Sequence, residues 1–263
     1  MRFLTLAGLA ALAAGSMVPL GGAAAQNPLH WKGRIAAGKA IEIKNINGDV
    51  RAAATTGSEV EVTATKRGHR SDPDEVKIEV VKHDGGVTIC AVYPDGDPRH
   101  PNDCVPGAGG HMNAHDNDVK VQFTVHVPAG VDFVGRSVNG EVEADSLRGN
   151  AEAYTVNGGV QVSTSGYAEA ATVNGSISAS LGRVEWTGPL EFRTVNGGIT
   201  VELPAKLNAD VHAETLNGSI DTDFPLTVSG RFSPKRLTGT IGSGGRTLSL
   251  ATVNGTIRLR KKP

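Results

Sequence analysis

The sequence predicts an all-β protein: a parallel β-solenoid, β-helix-like in its repeat, behind a strand-rich N-terminal segment. Three observations carry that prediction. The tetrapeptide Thr-Val-Asn-Gly stands at 155–158, 172–175, 194–197 and 252–255, with near copies ending in Asn47-Gly48, Asn139-Gly140 and Asn217-Gly218. Each copy is followed, after one intervening residue, by Ile or Val in a stretch rich in β-branched residues, the composition of short strands. Helix start and stop signals are nearly absent after the first 25 residues.

The chain opens with Arg2, an apolar run and then Ala23, Ala24 and Ala25. That order of positive, apolar and small-residue regions predicts a secretory signal peptide over 1–25. Gly8, Gly15, Ser16 and Pro19 interrupt the run, which argues against an anchor of about 20 apolar residues. Later apolar runs are all broken within a few residues, so no integral membrane segment is expected after cleavage. The mature chain is expected in the periplasm, on the cell surface or secreted. It would keep 25 Lys and Arg against 27 Asp and Glu, a net of −2 once Arg2 is removed. Without a basic excess to hold a phosphate backbone, nucleic acid is excluded as a partner.

Residues 26–134 read as the strand-rich segment. Ile41-Glu42-Ile43, Val60-Glu61-Val62, Val87-Thr88-Ile89 and the run from Val119 to Val125 alternate cleanly, which predicts strands with one buried and one wet face. His83-Asp84-Gly85-Gly86 reads as a hairpin turn, and a boundary is expected between Pro128 and Val134. Within this segment, 94–118 has no strand or helix pattern and is long for a loop. The only two cysteines, Cys90 and Cys104, fall in the exported part of the chain and predict a disulfide stapling that loop, with a stabilisation of about 3 kcal/mol. The loop carries His100, Asp103, His111, His115, Asp116 and Asp118, residue types that bind metals. Gly109, Gly110, Asn113 and Asn117 weaken a helical His111/His115 pair, however, and an oxidised Cys104 cannot ligate. No metal and no cofactor are therefore expected.

Residues 135–263 read as solenoid repeats. The Asn positions 139, 157, 174, 196 and 217, Thr238 in the Asn slot of one further copy, and Asn254 give steps of 18, 17, 22, 21, 21 and 16, a period that marks stacked units. Asn-Gly is also the strongest short hairpin signal. A hairpin would set Val173 and Ile177 on opposite faces, whereas a continuous or cornered strand keeps Val173, Ile177 and Ala179 inward and Thr172, Ser176 and Ser178 outward. The corner is favoured because stacking also explains identical letters: equivalent residues of successive coils lie about 4.8 Å apart. Asn47, Asn139, Asn157, Asn174, Asn196, Asn217 and Asn254 are thus expected as structural corners, with Gly supplying unusual dihedrals. The basic end, Arg258 to Lys262 before Pro263, reads as protection of an unpaired final strand.

The serial VNG-x-[IV] units behind an export signal resemble a bacterial β-strand-repeat family of unknown function whose members are described as "putative adhesins". The resemblance covers about 39–260 and implies a cell-envelope or surface role. It carries over no catalytic residue.

The residues themselves offer no nucleophile elbow, metalloprotease helix or phosphate loop, so no catalytic residue is expected. Two readings of function remain. One is a non-enzymatic envelope scaffold presenting a long solenoid face to a polysaccharide or protein partner. The other is a carbohydrate-active lyase or hydrolase using carboxylates on one face, drawn from Glu141, Glu143, Glu152, Glu169, Glu185, Glu191, Glu202 and Glu214. Trp186 and Tyr154 are the sugar-stacking candidates, and His126 reads as a surface histidine.

Overall fold

The computed structural model describes residues 28–94, 99, 101–183, 186, 188–228 and 235–262. The expected signal peptide, His100, Glu185 and Pro263 lie outside the described residues. The first half holds β1 (Leu29–Gly33), β2 (Ala40–Lys44), β3 (Val50–Ala54), β4 (Val60–Arg67), β5 (Lys77–His83), β6 (Gly86–Val92) and β7 (Lys120–Val127). The repeats supply β8 (Asp132–Arg136), β9 (Val142–Leu147), β10 (Ala151–Tyr154), β11 (Val160–Thr164), β12 (Ala168–Ala171), β13 (Ile177–Leu181), β14 (Leu190–Asn196) and β15 (Ile199–Leu203). The chain continues with β16 (Ala209–Asn217), β17 (Ile220–Thr222), β18 (Thr227–Val228), β19 (Arg236–Ile241), β20 (Thr247–Asn254) and β21 (Ile257–Lys261).

Among the described residues these strands form two sheets, in the orders β1-β4-β7-β3-β9-β11-β13-β15-β21-β17 and β18-β19-β16-β20-β14-β12-β10-β8-β2-β6-β5. The sheets face each other, and we call them the ten-stranded and the eleven-stranded sheet. Each coil takes a strand from the eleven-stranded sheet, turns the Asn-Gly corner and continues in the ten-stranded one. Pairing within the stack is parallel. Antiparallel strands close both ends: β1, β4 and β5 at one, β18 and β19 at the other. Strands from either side of Pro128–Val134 share both sheets.

The core lies between the sheets. Val50, Val142, Val160, Ile177, Ile199 and Ile257 stack in register and are nearly fully buried. Burial of each such side chain contributes about 1.5–3 kcal/mol, and the repeated Ile or Val after Gly-x exists to fill this column.

Four expectations need correction. Thr172 is buried and Val173 exposed, the reverse of the expected parity, because the corner turns the chain between the two sheets and resets which side faces in. The corner glycines 140, 158, 175, 197, 218 and 255 lack a positive φ, and Gly48 alone of the set has one, at 115°. Their common requirement is space, since a Cβ on each would collide with the carbonyl oxygen of the glycine in the neighbouring coil. Thr238 sits in β19, which runs antiparallel to β16, so that copy is not a coil. The last strand is not an edge: β21 pairs with both β15 and β17, and its basic residue Arg260 bonds Asp221 and Asp223.

Candidate functional site

The seven corner asparagines form one ladder. Each side-chain amide donates to the next carbonyl oxygen, through Asn139 to Asn47, Asn157 to Asn139, Asn174 to Asn157, Asn196 to Asn174, Asn254 to Asn196 and Asn217 to Asn254, at 2.7–2.9 Å. Beside it runs a column the sequence reading missed. Ser137, Thr155, Thr172, Thr194, Thr252 and Thr215 are buried and donate to the carbonyls of Gly48, Gly140, Gly158, Gly175, Gly197 and Gly255. Asn45 takes the same position in the first coil and donates to the carbonyl of Gly48. The signal for it was the Thr that opens each tetrapeptide. The corner's polar groups thus bond one another.

The disulfide between Cys90 and Cys104 is formed, with a Cα–Cα separation of 5.7 Å. It holds the described part of the long loop against the outer side of the eleven-stranded sheet at β2 and β6. Lys44 donates to the carbonyls of Val105 and Gly109. Glu42 accepts from Thr88, from the amide of Gly107 and from Arg136. Glu42 is 5 % exposed and Thr88 0 %, so the expected wet face of these two strands is covered by the loop. Burial lowers the pKa of Lys44, but its two carbonyl partners give the charge somewhere to go.

Two of the loop's metal-type residues, Asp103 and Asp118, accept backbone amides, whereas His115 and Asp116 are exposed. Asp103 accepts the amide of His111. Asp118 accepts the amides of His69, Arg70 and Ser71, and these backbone bonds hold its carboxyl well below the usual carboxylate range. Among the described residues no group of three or more His, Cys, Asp or Glu could hold a metal ion.

Next to the loop, the outer face of the eleven-stranded sheet carries the richest chemistry. Arg136 bonds Glu42 at 3.0 Å, lies 4.3 Å above the Tyr154 ring and approaches Glu152 at 3.9 Å. Tyr154 donates its hydroxyl to Glu152. Burial first, and then the carboxylate of Glu152, raise the Tyr154 pKa, which keeps the phenol protonated. Glu152 lies opposite Glu169, and the pairing of Ala170 with Phe192 carries the row on to Glu191. Partial burial raises the pKa of Glu169, and the charges of Glu152 and Glu191 add to the effect. Arg193 bonds Glu191 at 3.0 Å.

Of the remaining candidate acids, Glu143 and Glu202 project from the other sheet, opposite Arg51 and Arg260. Glu141 is exposed just after the corner of its coil, and Glu214 bonds Arg236. Trp186 is 5 % exposed and donates to the carbonyl of Thr247, so it is packing and not a platform. His126 is exposed opposite Glu61. The three aligned glutamates all point the same way from adjacent strands. They do not face one another across a groove.

The sequence model of the Toastrack DUF4097 family matches residues 36–260. The chain belongs to that family. No curated protein matches it. Among solved structures, a "putative cell adhesion protein" from Clostridium sporogenes ATCC 15579 is 12 % identical over 90 % of this chain and 100 % of its own, with a TM-score of 0.44. A "putative adhesin" from Bacteroides fragilis NCTC 9343 is 13 % identical over 89 % of this chain and 97 % of its own, at 0.38. A "putative lipid binding protein" from Parabacteroides distasonis ATCC 8503 is 10 % identical over the same shares, at 0.25. In this Toastrack chain, no helix among the described residues is long and apolar enough to cross a membrane.

Proposed function

We propose that this Toastrack protein is an exported, non-enzymatic scaffold of the cell envelope or surface that presents a solenoid face to a polysaccharide or an envelope protein. The observation that carries the reading is the outer face of the eleven-stranded sheet. There Arg136, Tyr154, Glu152, Glu169, Glu191 and Arg193 lie in in-register rows beside an anchored loop. Rows of charged and hydrogen-bonding groups at strand spacing suit an extended polymer. Glycoside hydrolysis, by contrast, needs two carboxyl groups flanking the scissile bond, and these carboxylates project side by side from one face of adjacent strands. Export is supported by the disulfide, which persists in oxidising compartments.

Co-sedimentation of the purified mature chain with isolated envelope fractions tests the reading. Saturable binding that Arg136→Ala weakens supports it, and absence of binding to every fraction overturns it. One observation favours the hydrolase or lyase alternative, the raised pKa of Glu169. Release of new sugar ends from an envelope polysaccharide, lost in Glu169→Gln, would replace the scaffold reading with that one.

A further inference from the structure

A second site lies away from the faces described above, at the end of the stack where the edge strand of one sheet meets the last hairpin of the other. A cleft of about 320 Å³ opens between β1 and the β5–β6 turn, within the range of small-ligand clefts of about 300–1,000 Å³. Its lining includes Lys32, Arg34, Lys39 and Lys82 against a single acid, Asp84, a local balance of +3 on a chain whose net charge is −1. Lys32 and Arg34 are partly neutralised by Glu59, just before β4, and Lys32 also by Glu61 on β4. Lys39 and Lys82 have no acidic partner among the described residues, and both are exposed.

The cleft is built and braced. The Trp31 indole, half-buried, lies along β1 over Gly33, where any Cβ would meet its ring. Gly33 is thus what lets a flat aromatic surface form one wall. The opposite rim is fixed by the amide of Ala40 donating to the carbonyl of Gly85, and Gly86, at φ 139°, packs against Ala40. His83 is held by two bonds: its Nδ1 accepts the Gly85 amide, and its Nε2 lies 3.1 Å from the Thr88 hydroxyl. That hydroxyl donates to Glu42, so the His83 Nε2–H donates to it in turn.

We propose that this cleft binds an acidic pyranose unit of a polysaccharide, with the sugar's apolar face against Trp31 and its carboxylate between Lys39 and Lys82. A flat aromatic wall matches a pyranose ring, and unpaired ammonium groups beside it match a carboxylate. The inference deepens the scaffold reading by naming a class of polymer, and it rests on that reading.

The test is calorimetric titration of the purified mature chain with a short uronic-acid oligomer, alongside the matching neutral hexose oligomer. Uronate binding that weakens with salt is expected. The double variant Lys39→Glu/Lys82→Glu, both on the surface, should keep its melting temperature and bind roughly tenfold more weakly or worse. Trp31→Ala should weaken binding also, and Gly33→Ala should do so by displacing the ring. Four results overturn the proposal: no uronate binding, equal binding of the neutral oligomer, unchanged affinity in the double variant, or competition by inorganic sulfate at matched ionic strength. Envelope co-sedimentation separates this failure from that of the scaffold. If wild type and double variant pellet equally and the titration shows no uronate binding, the scaffold stands and the cleft falls. If neither pellets, the scaffold falls and the titration alone decides the cleft.

Discussion

Within each Thr-Val-Asn-Gly corner the four residues do four different things, and only their stacking reveals which. Thr donates inward, Val stands exposed at the ridge, Asn bonds its copies above and below, and Gly leaves room for the neighbouring coil's carbonyl. Gly175→Ala, in mid-stack, should therefore cost about 1–3 kcal/mol through overpacking, seen as a lower midpoint in denaturant. Thr172→Val should cost about 1–3 kcal/mol by leaving the Gly158 carbonyl without its donor, and Thr172→Ser should recover most of it. At Glu169 the sign is opposite. Its folded pKa is raised, so ionisation penalises the native state at neutral pH, and the penalty vanishes below the ordinary carboxylate range of about 4. Glu169→Gln should raise the melting temperature at pH 7 and leave it unchanged at pH 3.5. An equal gain at both pH values would show that the charge is not the cause.

At the level of elements, β2 and β6 show what alternation can and cannot tell. Ile41 and Ile43 read correctly as inward. Glu42 and Thr88 read as wet because polar residues on an alternating strand usually are. Nothing local to β2 says that a segment 61 to 65 residues along the chain will fold back over Lys44. The cysteine pairing was legible because only one pairing exists, whereas the carbonyl and amide partners of Lys44 and Glu42 are backbone groups with no residue signature. Two anchors of different chemistry make a divided prediction. Reduction of the disulfide should lower stability by about 3 kcal/mol on the loop-entropy scale while leaving part of the loop docked through Lys44 and Glu42. Glu42→Ala in the reduced protein should then release it, read as new protease cleavage within 101–118. Full release on reduction alone would show that the buried charges do not hold the loop.

For the whole molecule, the order of the coils is what the repeat conceals. The asparagine ladder runs 47, 139, 157, 174, 196, 254, 217, so the coil of β20 and β21 slots between that of β14 and β15 and that of β16 and β17. Every coil carries the same Asn-Gly pair at its corner, so that pair alone cannot encode the order of stacking. The order comes from the unrepeated part, the β18–β19 excursion, which pairs antiparallel along the outer side of β16 and sends the chain back. An ordinary solenoid loses stability one end-coil at a time. Here, removing 247–263 takes out an internal layer, and leaves β16 and β17 with no parallel neighbour. That truncation should fail to fold. Excising 209–241 instead leaves β15 joined to β20 by the ten residues 204–208 and 242–246, in place of an excursion that returns the chain to the same layer. β20 and β21 already pair with β14 and β15, so the shortened chain should fold with the longer deletion and a lower melting temperature. Circular dichroism of the two deletions decides the matter: if the 247–263 truncation keeps a cooperative β-sheet transition and the 209–241 excision does not, the final coil is not an inserted layer.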